Sequence, residues 1–359
     1  MLILTWGLLI LIGLLFPKSR VVTAFLLLFS IITICFRTQG ADYIIYQNEY
    51  INSVYQSFSD VHYVGFLIIE KIAHSVNLTF EQFTIIVGIL STALMYSGIR
   101  KLTSNVNVVL ALFMIYPFSH EVVQVRTHLA NSIIIFALPL LFKESFNKKD
   151  NKSLRMIEFY VLAILACTFH FEVAFYVGCI TLMLFLPEKY SKFYIFGGSI
   201  ALLILIKTGI LPALITKFNS RIAFWLSGKT GLGIVIPIFI TLVIWFGMQI
   251  VGKLCIKKAG SSDEQTMYKR ILRFSDYIIF TLPLYCYDIT FNRLWRVFLV
   301  LFFVMIAKII TVRLNRNQRL WIFSVMTLLF VSVCVYENAF PILFEVFGNN
   351  AIFKSLSVF

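Results

Sequence analysis

Apolar runs broken by short polar interruptions follow one another along the whole chain, at about 1–16, 21–36, 79–99, 106–119, 122–142, 157–170, 171–186, 193–211, 232–251, 277–289, 294–311 and 320–337. A helix rises ~1.5 Å per residue, so about 20 residues cross the hydrocarbon of a bilayer. The pattern predicts an all-α polytopic integral membrane protein, one membrane domain over 1–359 with about 12 transmembrane helices, in a range of about 10–13. The first run has no basic stretch before it and no A-x-A-like site, and Lys18 and Arg20 follow it. It reads as a first transmembrane helix, not as a cleaved leader.

Sidedness turns on residues 61–76 (VHYVGFLIIEKIAHSV), an apolar stretch that carries Glu70, Lys71 and two histidines. Lys and Arg concentrate in short cytoplasmic loops. With 61–76 lying in the membrane interface, the loops 17–20, 100–105, 143–156, 187–192, 252–276 and 311–319 fall on one side. They hold 20 of the 31 basic residues against six acids, and the other 11 basic and 11 acidic residues cancel. Making 61–76 a span would move 18 of those 20 basic residues outside, so it is placed in the interface. The outer face is then built from 37–78 (a polar loop plus an interfacial helix), 119–126, 170–172, an amphipathic segment at 212–231, 288–293 and the tail after 338.

Composition agrees with lipid as the solvent. Of 359 residues, 60% are hydrophobic and 13% charged, against ~25% charged in an ordinary soluble domain. The net charge of +14 would suggest nucleic acid in a soluble protein, but here it orients the chain, and no nucleic acid partner is expected. The six cysteines form no CxxC pair and most lie in apolar runs, so neither disulfides nor a zinc site are expected.

Ionisable residues inside or beside spans are costly and are functional candidates by default. Lys207 and Lys308 lie near helix ends and can snorkel to the headgroups. Arg126, in SHEVVQVRTHLANSIII, begins a span, with Glu121 as its plainest ion-pair partner. Arg293 and Arg296, in YDITFNRLWRVF, lie three apart on one helix face, where Asp288 could neutralise one of them. Arg37 closes the second span just before Gly40, Asp42 and Tyr43, and Arg221 lies in the amphipathic segment. Guanidinium forks bind phosphate oxygens bidentately, so a diphosphate-bearing ligand suits this face. The loop 37–60, rich in Tyr, Asn, Gln and Ser, suits sugars, although an ordinary solvated loop has the same composition. His170 and Glu172, in FHFE, supply groups able to take a proton near neutral pH. All five histidines fall on the outer half, none with HExxH spacing, and no metal or other cofactor is expected. No phosphate-cradling glycine loop or nucleophile elbow occurs.

These elements resemble the EpsG-like branch of Wzy polysaccharide polymerases. The family shows an Arg followed by G-x-D-Y-x-x-Y after its second span, matched by Arg37, Gly40, Asp42, Tyr43 and Tyr46. Its E-P-G-F-like element is matched only as Tyr63-Val64-Gly65-Phe66, without the acid or the proline. An I-R-Q-x-x-A-x-S-I helix start corresponds to Val125–Ile133, with Thr127 in place of Gln. Its F-H-x-S-A element corresponds to Phe169-His170-Phe171-Glu172-Val173-Ala174, without the Ser, and a late R-x-x-x-Y/F helix start to Arg293 through Phe298. The likeness covers about residues 35–300.

The resemblance implies a metal-independent glycosyltransferase at the outer face of the bacterial plasma (inner) membrane. It would join undecaprenyl-diphosphate-linked oligosaccharide repeat units, in O-antigen, capsule or exopolysaccharide synthesis, alongside a flippase and a chain-length regulator. Arg126, Arg293, Arg37, Arg221, Arg296 and Tyr43 are then the substrate-binding candidates. His170, Asp42 and Glu172 are the candidate bases. Two other classes stay open, a flippase for the same lipid-linked sugar and a membrane O-acyltransferase acting on surface glycan.

Overall fold

In a computed structural model the chain folds as helices, with no strand among the described residues, which are all but 1, 41, 62, 144–150, 212, 215–231, 313 and 357–359. The helices are α1 (Leu2–Leu15), α2 (Arg20–Cys35), α3 (Tyr43–Asn52), α4 (Val64–Ser75), α5 (Phe80–Leu102), α6 (Val106–Ile115), α7 (Phe118–Val123), α8 (Val125–Phe142) and α9 (Lys152–Phe169). They continue as α10 (Val173–Phe185), α11 (Ser191–Lys207), α12 (Val235–Lys257), α13 (Ser262–Ser275), α14 (Thr281–Leu284), α15 (Trp295–Ile310), α16 (Arg316–Tyr336), α17 (Ala339–Gly348) and α18 (Ala351–Leu356). Among the described residues five helical segments are long and apolar enough to cross a membrane: α5, α8, α11 with the turn before it, α12 and α16. Five shorter apolar helices, α1, α2, α6, α10 and α17, have 10–17 residues each.

Local chemistry sets the boundaries. Ser19 caps α2 by accepting from the Val22 amide. Thr79 and Gln82 close a capping box on α5, whose last turn carries Arg100 and Lys101, the sign that its dipole favours. The predicted run 106–119 is divided into α6 and α7 before Pro117, which has no amide to continue a helix.

The run 277–289 is a correction to the predicted spans. It folds as a 3-10 turn (Asp276–Phe280), the four-residue α14 and a non-helical stretch. Its apolar residues face protein: Tyr277, Ile278, Ile279 and Tyr285 are buried. Two predicted loops contain helices. Residues 37–60 include α3, and 252–276 include α13, which Ser261 caps and which buries Met267, Tyr268, Ile271 and Phe274. Helix α4 has 12 residues, short of the ~20 that a crossing needs.

The chain resolves into two compact units. The first comprises 1–174, 306–311 and 333–359. At its centre α8 is buried nearly all round, packed by α5 and α9. The α5–α8 seam is tightest at Gly98, where a Cβ would lie 2.4 Å from the Ile135 carbonyl oxygen. Gly98→Ala therefore lowers stability by about 1–3 kcal/mol, read as a lower unfolding midpoint in detergent. Gly178→Ala, which meets nothing within 4 Å, leaves that midpoint unchanged or raises it. Gly65 plays the same part for α4, since a Cβ there would lie 2.2 Å from Thr168 Oγ1 at the end of α9.

The second unit comprises 175–305 and 312–332. Its polar interior ties helices together: Asp276 Oδ1 accepts from Trp245 Nε1 at 2.9 Å and from Gln249 Nε2 at 2.7 Å. Trp295 Nε1 donates to Thr241 Oγ1 at 2.9 Å, and Thr241 bonds the Tyr285 hydroxyl at 2.9 Å.

Candidate functional site

Helix α3 presents two overlapping faces to the first unit. Tyr43, Tyr46 and Tyr50, spaced for one side of a helix, are all buried. The Tyr50 hydroxyl donates to the Leu78 carbonyl at 2.7 Å, and its ring stacks on His74 at 4.1 Å. These contacts anchor α3 to the end of α4 and the start of α5. The neighbouring face turns Asp42, Tyr46 and Glu49 toward two arginines.

Arg37 is 4% exposed. Its Nη1 donates to the Val123 carbonyl at 2.9 Å, while Nη2 is buried with no hydrogen-bond partner. Its backbone pairs with Asn350, so the chain after α17 closes over it. Burial lowers its pKa, and the nearby Tyr46, Asp42 and Tyr43 oppose that shift. Arg37 thus ties the end of α2 to the segment that enters α8. Tyr43 lies beneath its guanidinium, ring centroid at 5.6 Å.

Arg126 occupies the first turn of α8, where the helix dipole is positive. Its guanidinium lies over the Tyr63 ring at 3.8 Å, with Tyr46 at 5.1 Å and Phe66 at 5.7 Å. Nη1 meets Glu49 Oε2 at 3.0 Å, at side-chain exposures of 14% and 17%. Its Nε is buried without a hydrogen-bond partner. The partner expected from sequence, Glu121, is taken elsewhere. Glu121 accepts from Asn131 at 3.1 Å and meets His128 Nδ1 at 2.9 Å, all three side chains buried. Successive residues on a helix turn by ~100°, so Arg126 and His128, two positions apart, point about 200° apart and face different neighbours.

Glu70 is the residue that sequence reasoning missed. It is fully buried on α4, and neither carboxyl oxygen has a hydrogen-bond partner. Tyr63 at the N-cap, Phe66 and Glu70 follow the spacing of one helix face, the face beneath Arg126. Burial, and then the Glu49 carboxylate, push its pKa up to about 8, while Arg126 pulls the other way. The same causes push the Tyr63 phenol up to about 12. An acid in the middle of VGFLIIEKIAHSV was the available signal, but it served only to decide topology.

His170 caps the C-terminal end of α9 and stands 3.7 Å from Glu172, at 26% and 12% side-chain exposure. The Gly65–Thr168 contact sets the start of α4 against this end of α9. Asp42 caps α3 by position without a side-chain hydrogen bond. The first unit therefore contains Arg37, Asp42, Tyr43, Arg126, His170 and Glu172. Among the described residues no three His, Cys, Asp or Glu side chains form a metal-binding group.

Arg293 and Arg296 belong to the second unit. The turn that carries Arg293 is held by the Tyr176 hydroxyl, which donates to the Leu294 carbonyl at 3.1 Å, and by Trp295. Arg293 is half-buried in a 3-10 turn, and Arg296, three positions on, is 2% exposed in α15. Asp288 neutralises neither, because its carboxylate accepts the Thr290 amide at 2.7 Å and caps the turn. Arg221 and most of 212–231 lie outside the described residues.

The family model described as the EpsG family matches residues 20–344. The chain belongs to the EpsG family. No curated protein and no solved structure matches it. Membership makes it a membrane protein of polysaccharide biosynthesis. Three of the elements that resemble EpsG proteins in sequence adjoin in the first unit, while the late Arg293–Phe298 element belongs to the second. The G-x-D-Y-x-x-Y match forms the start of α3, Tyr63-Val64-Gly65-Phe66 starts α4, and Arg126 joins the two.

Proposed function

We propose that this EpsG-family protein is a glycosyltransferase that polymerises lipid-diphosphate-linked oligosaccharide repeat units at the outer face of the plasma membrane. The observation that supports this reading is Arg126: a guanidinium on aromatic faces, at a helix N-terminus, with an unpartnered Nε and one carboxylate, Glu49, as a displaceable counter-ion. A diphosphate that displaces Glu49 gains a charge-assisted contact with the guanidinium beside the positive end of α8.

In the reaction, a sugar hydroxyl of one unit attacks the anomeric carbon of the other, and the bond from that carbon to the diphosphate oxygen breaks. The acceptor proton passes to a base, His170 in this reading, with Asp42 or Glu172 as alternatives. Arg126 holds the growing charge on the leaving diphosphate, and Arg37 positions the segment that presents it. Arg293, half-buried and without an ion pair among the described residues, is a further guanidinium available to an anion. Undecaprenyl as the lipid, a flippase and a chain-length regulator as partners, and an O-antigen, capsule or exopolysaccharide product complete the proposal.

Purified protein in vesicles with lipid-linked repeat units as its sole substrate tests the reading. Chain growth without a second enzyme is the expected result. Movement of the lipid between leaflets without chain growth would overturn it in favour of a flippase.

A further inference from the structure

At the opposite end of α2 and α5 from Arg37 and α3, the first unit holds a second charged cavity, of about 810 Å³. Lys18, Arg20, Arg100, Lys101 and Lys143 line it, and no acid stands among the described lining residues. Among the described residues Lys18, Arg20 and Arg100 make no ion pair, and Lys101 rests over the Phe136 ring at 3.8 Å. Arg20 is the first residue of α2 and Val106, also in the lining, the first of α6, so two helix N-termini add positive potential. The remaining wall is partly apolar, from Ala24 and Leu27 on α2 and Tyr96 on α5. Helix α2 also exposes Val21, Phe25 and Leu28 beside that wall, a surface that acyl chains would cover.

Like charges brought into one concavity repel unless an anion joins them, so an anion seated there gains from each cation within reach. Basic residues spread over a loop would satisfy the orientation rule equally well; convergence on a cavity with an apolar wall is the additional feature. We propose that this cavity binds the phosphate-bearing headgroup of an anionic lipid, the cations holding the phosphate and the α2–α5 wall receiving the chain. The five cations belong to the loops 17–20, 100–105 and 143–156, which the charge pattern assigns to the cytoplasmic side, so the lipid is one of the inner leaflet. The proposal does not rest on the transferase reading.

The full-length protein, reconstituted in nanodiscs of phosphatidylcholine with graded phosphatidylglycerol, provides the test. The expected result is saturable retention of phosphatidylglycerol by native mass spectrometry and a rise in unfolding midpoint. Both effects fall at least tenfold in apparent affinity in Arg20→Gln/Arg100→Gln, whose substituted side chains are exposed at helix ends. A parallel arm adds pyrophosphate to protein in phosphatidylcholine. Pyrophosphate that binds and displaces the lipid supports a site built for the phosphate group. Pyrophosphate binding without any lipid retention overturns the lipid assignment. Equal lipid retention by parent and variant, with the variant's unfolding midpoint in phosphatidylcholine matching the parent's, overturns the site.

Discussion

Arg126→Ala lowers the rate of chain growth by ~10²–10³-fold, the loss typical of one preorganised contact to a developing charge. The substitution removes the guanidinium from the faces of Tyr63, Tyr46 and Phe66 and leaves Glu49 without its counter-ion. Both partners of that pair keep some solvent contact, so Glu49 can hydrate and the fold survives; a retained unfolding midpoint checks this. Arg126→Lys recovers only part of the rate, because an ammonium retains the charge but not the planar fork or its stacking. Glu49→Gln separates two roles. If Glu49 serves as the displaceable counter-ion, its removal strengthens binding of the lipid diphosphate while Arg126→Ala weakens it. Polymer of unchanged amount and length in cells carrying Arg126→Ala would refute the site.

Glu70→Gln produces a stability gain that depends on pH. In the folded protein the Glu70 carboxyl titrates at about 8, raised from an ordinary value of 4.5 by burial and by Glu49. Below the ordinary value both folded and unfolded chains hold the proton, and the group costs nothing extra. As pH rises from 4.5 toward 8 the unfolded chain releases the proton and the folded chain keeps it. Stability therefore falls, by up to ~1.4 kcal/mol per pH unit, and levels off above the folded value. Glutamine has the same shape and no proton to release. The difference in unfolding midpoint between Glu70→Gln and the parent should be small near pH 5, grow through neutrality and flatten above the folded value. A difference independent of pH between 5 and 8 would show that Glu70 is not held neutral. A carboxyl that keeps its proton at neutral pH beside Arg126 and Glu49 also lets the arginine face a diphosphate with one carboxylate competing, not two.

The membrane class of the chain and most of its helices were legible in sequence, each for a local reason. Thr79 with Gln82, Pro117, and Arg100 with Lys101 act within a turn of their own position, so a linear reading finds them. The run 277–289 was misread because an apolar segment packed inside protein and one packed in lipid have the same composition. Tyr277 and Tyr285, each with a hydroxyl in the interior, and Pro283 were the internal signs against a span. Likewise the polar loop 37–60 hid α3, whose tyrosines at helical spacing become a buried face only when α4 and α5 are beside it.

Hydropathy and charge are sums along the chain, and they alone determined that this protein lives in a membrane and which loops carry its excess positive charge. The order of short motifs was likewise linear, enough to resemble a family that the chain proved to belong to. Pairing is not a sum. Glu49 and Arg126 are 77 positions apart, and nothing in either segment names the other; Glu121, five residues from Arg126, is the nearer choice in sequence and the wrong one in space. The fold made that decision, because α3 and α4 lay two aromatic faces and two carboxyls against the first turn of α8, and helix rotation turned His128 away to Glu121. The same packing buried Glu70 without a partner. Its neutrality follows from what surrounds it, so only the tertiary structure could reveal it.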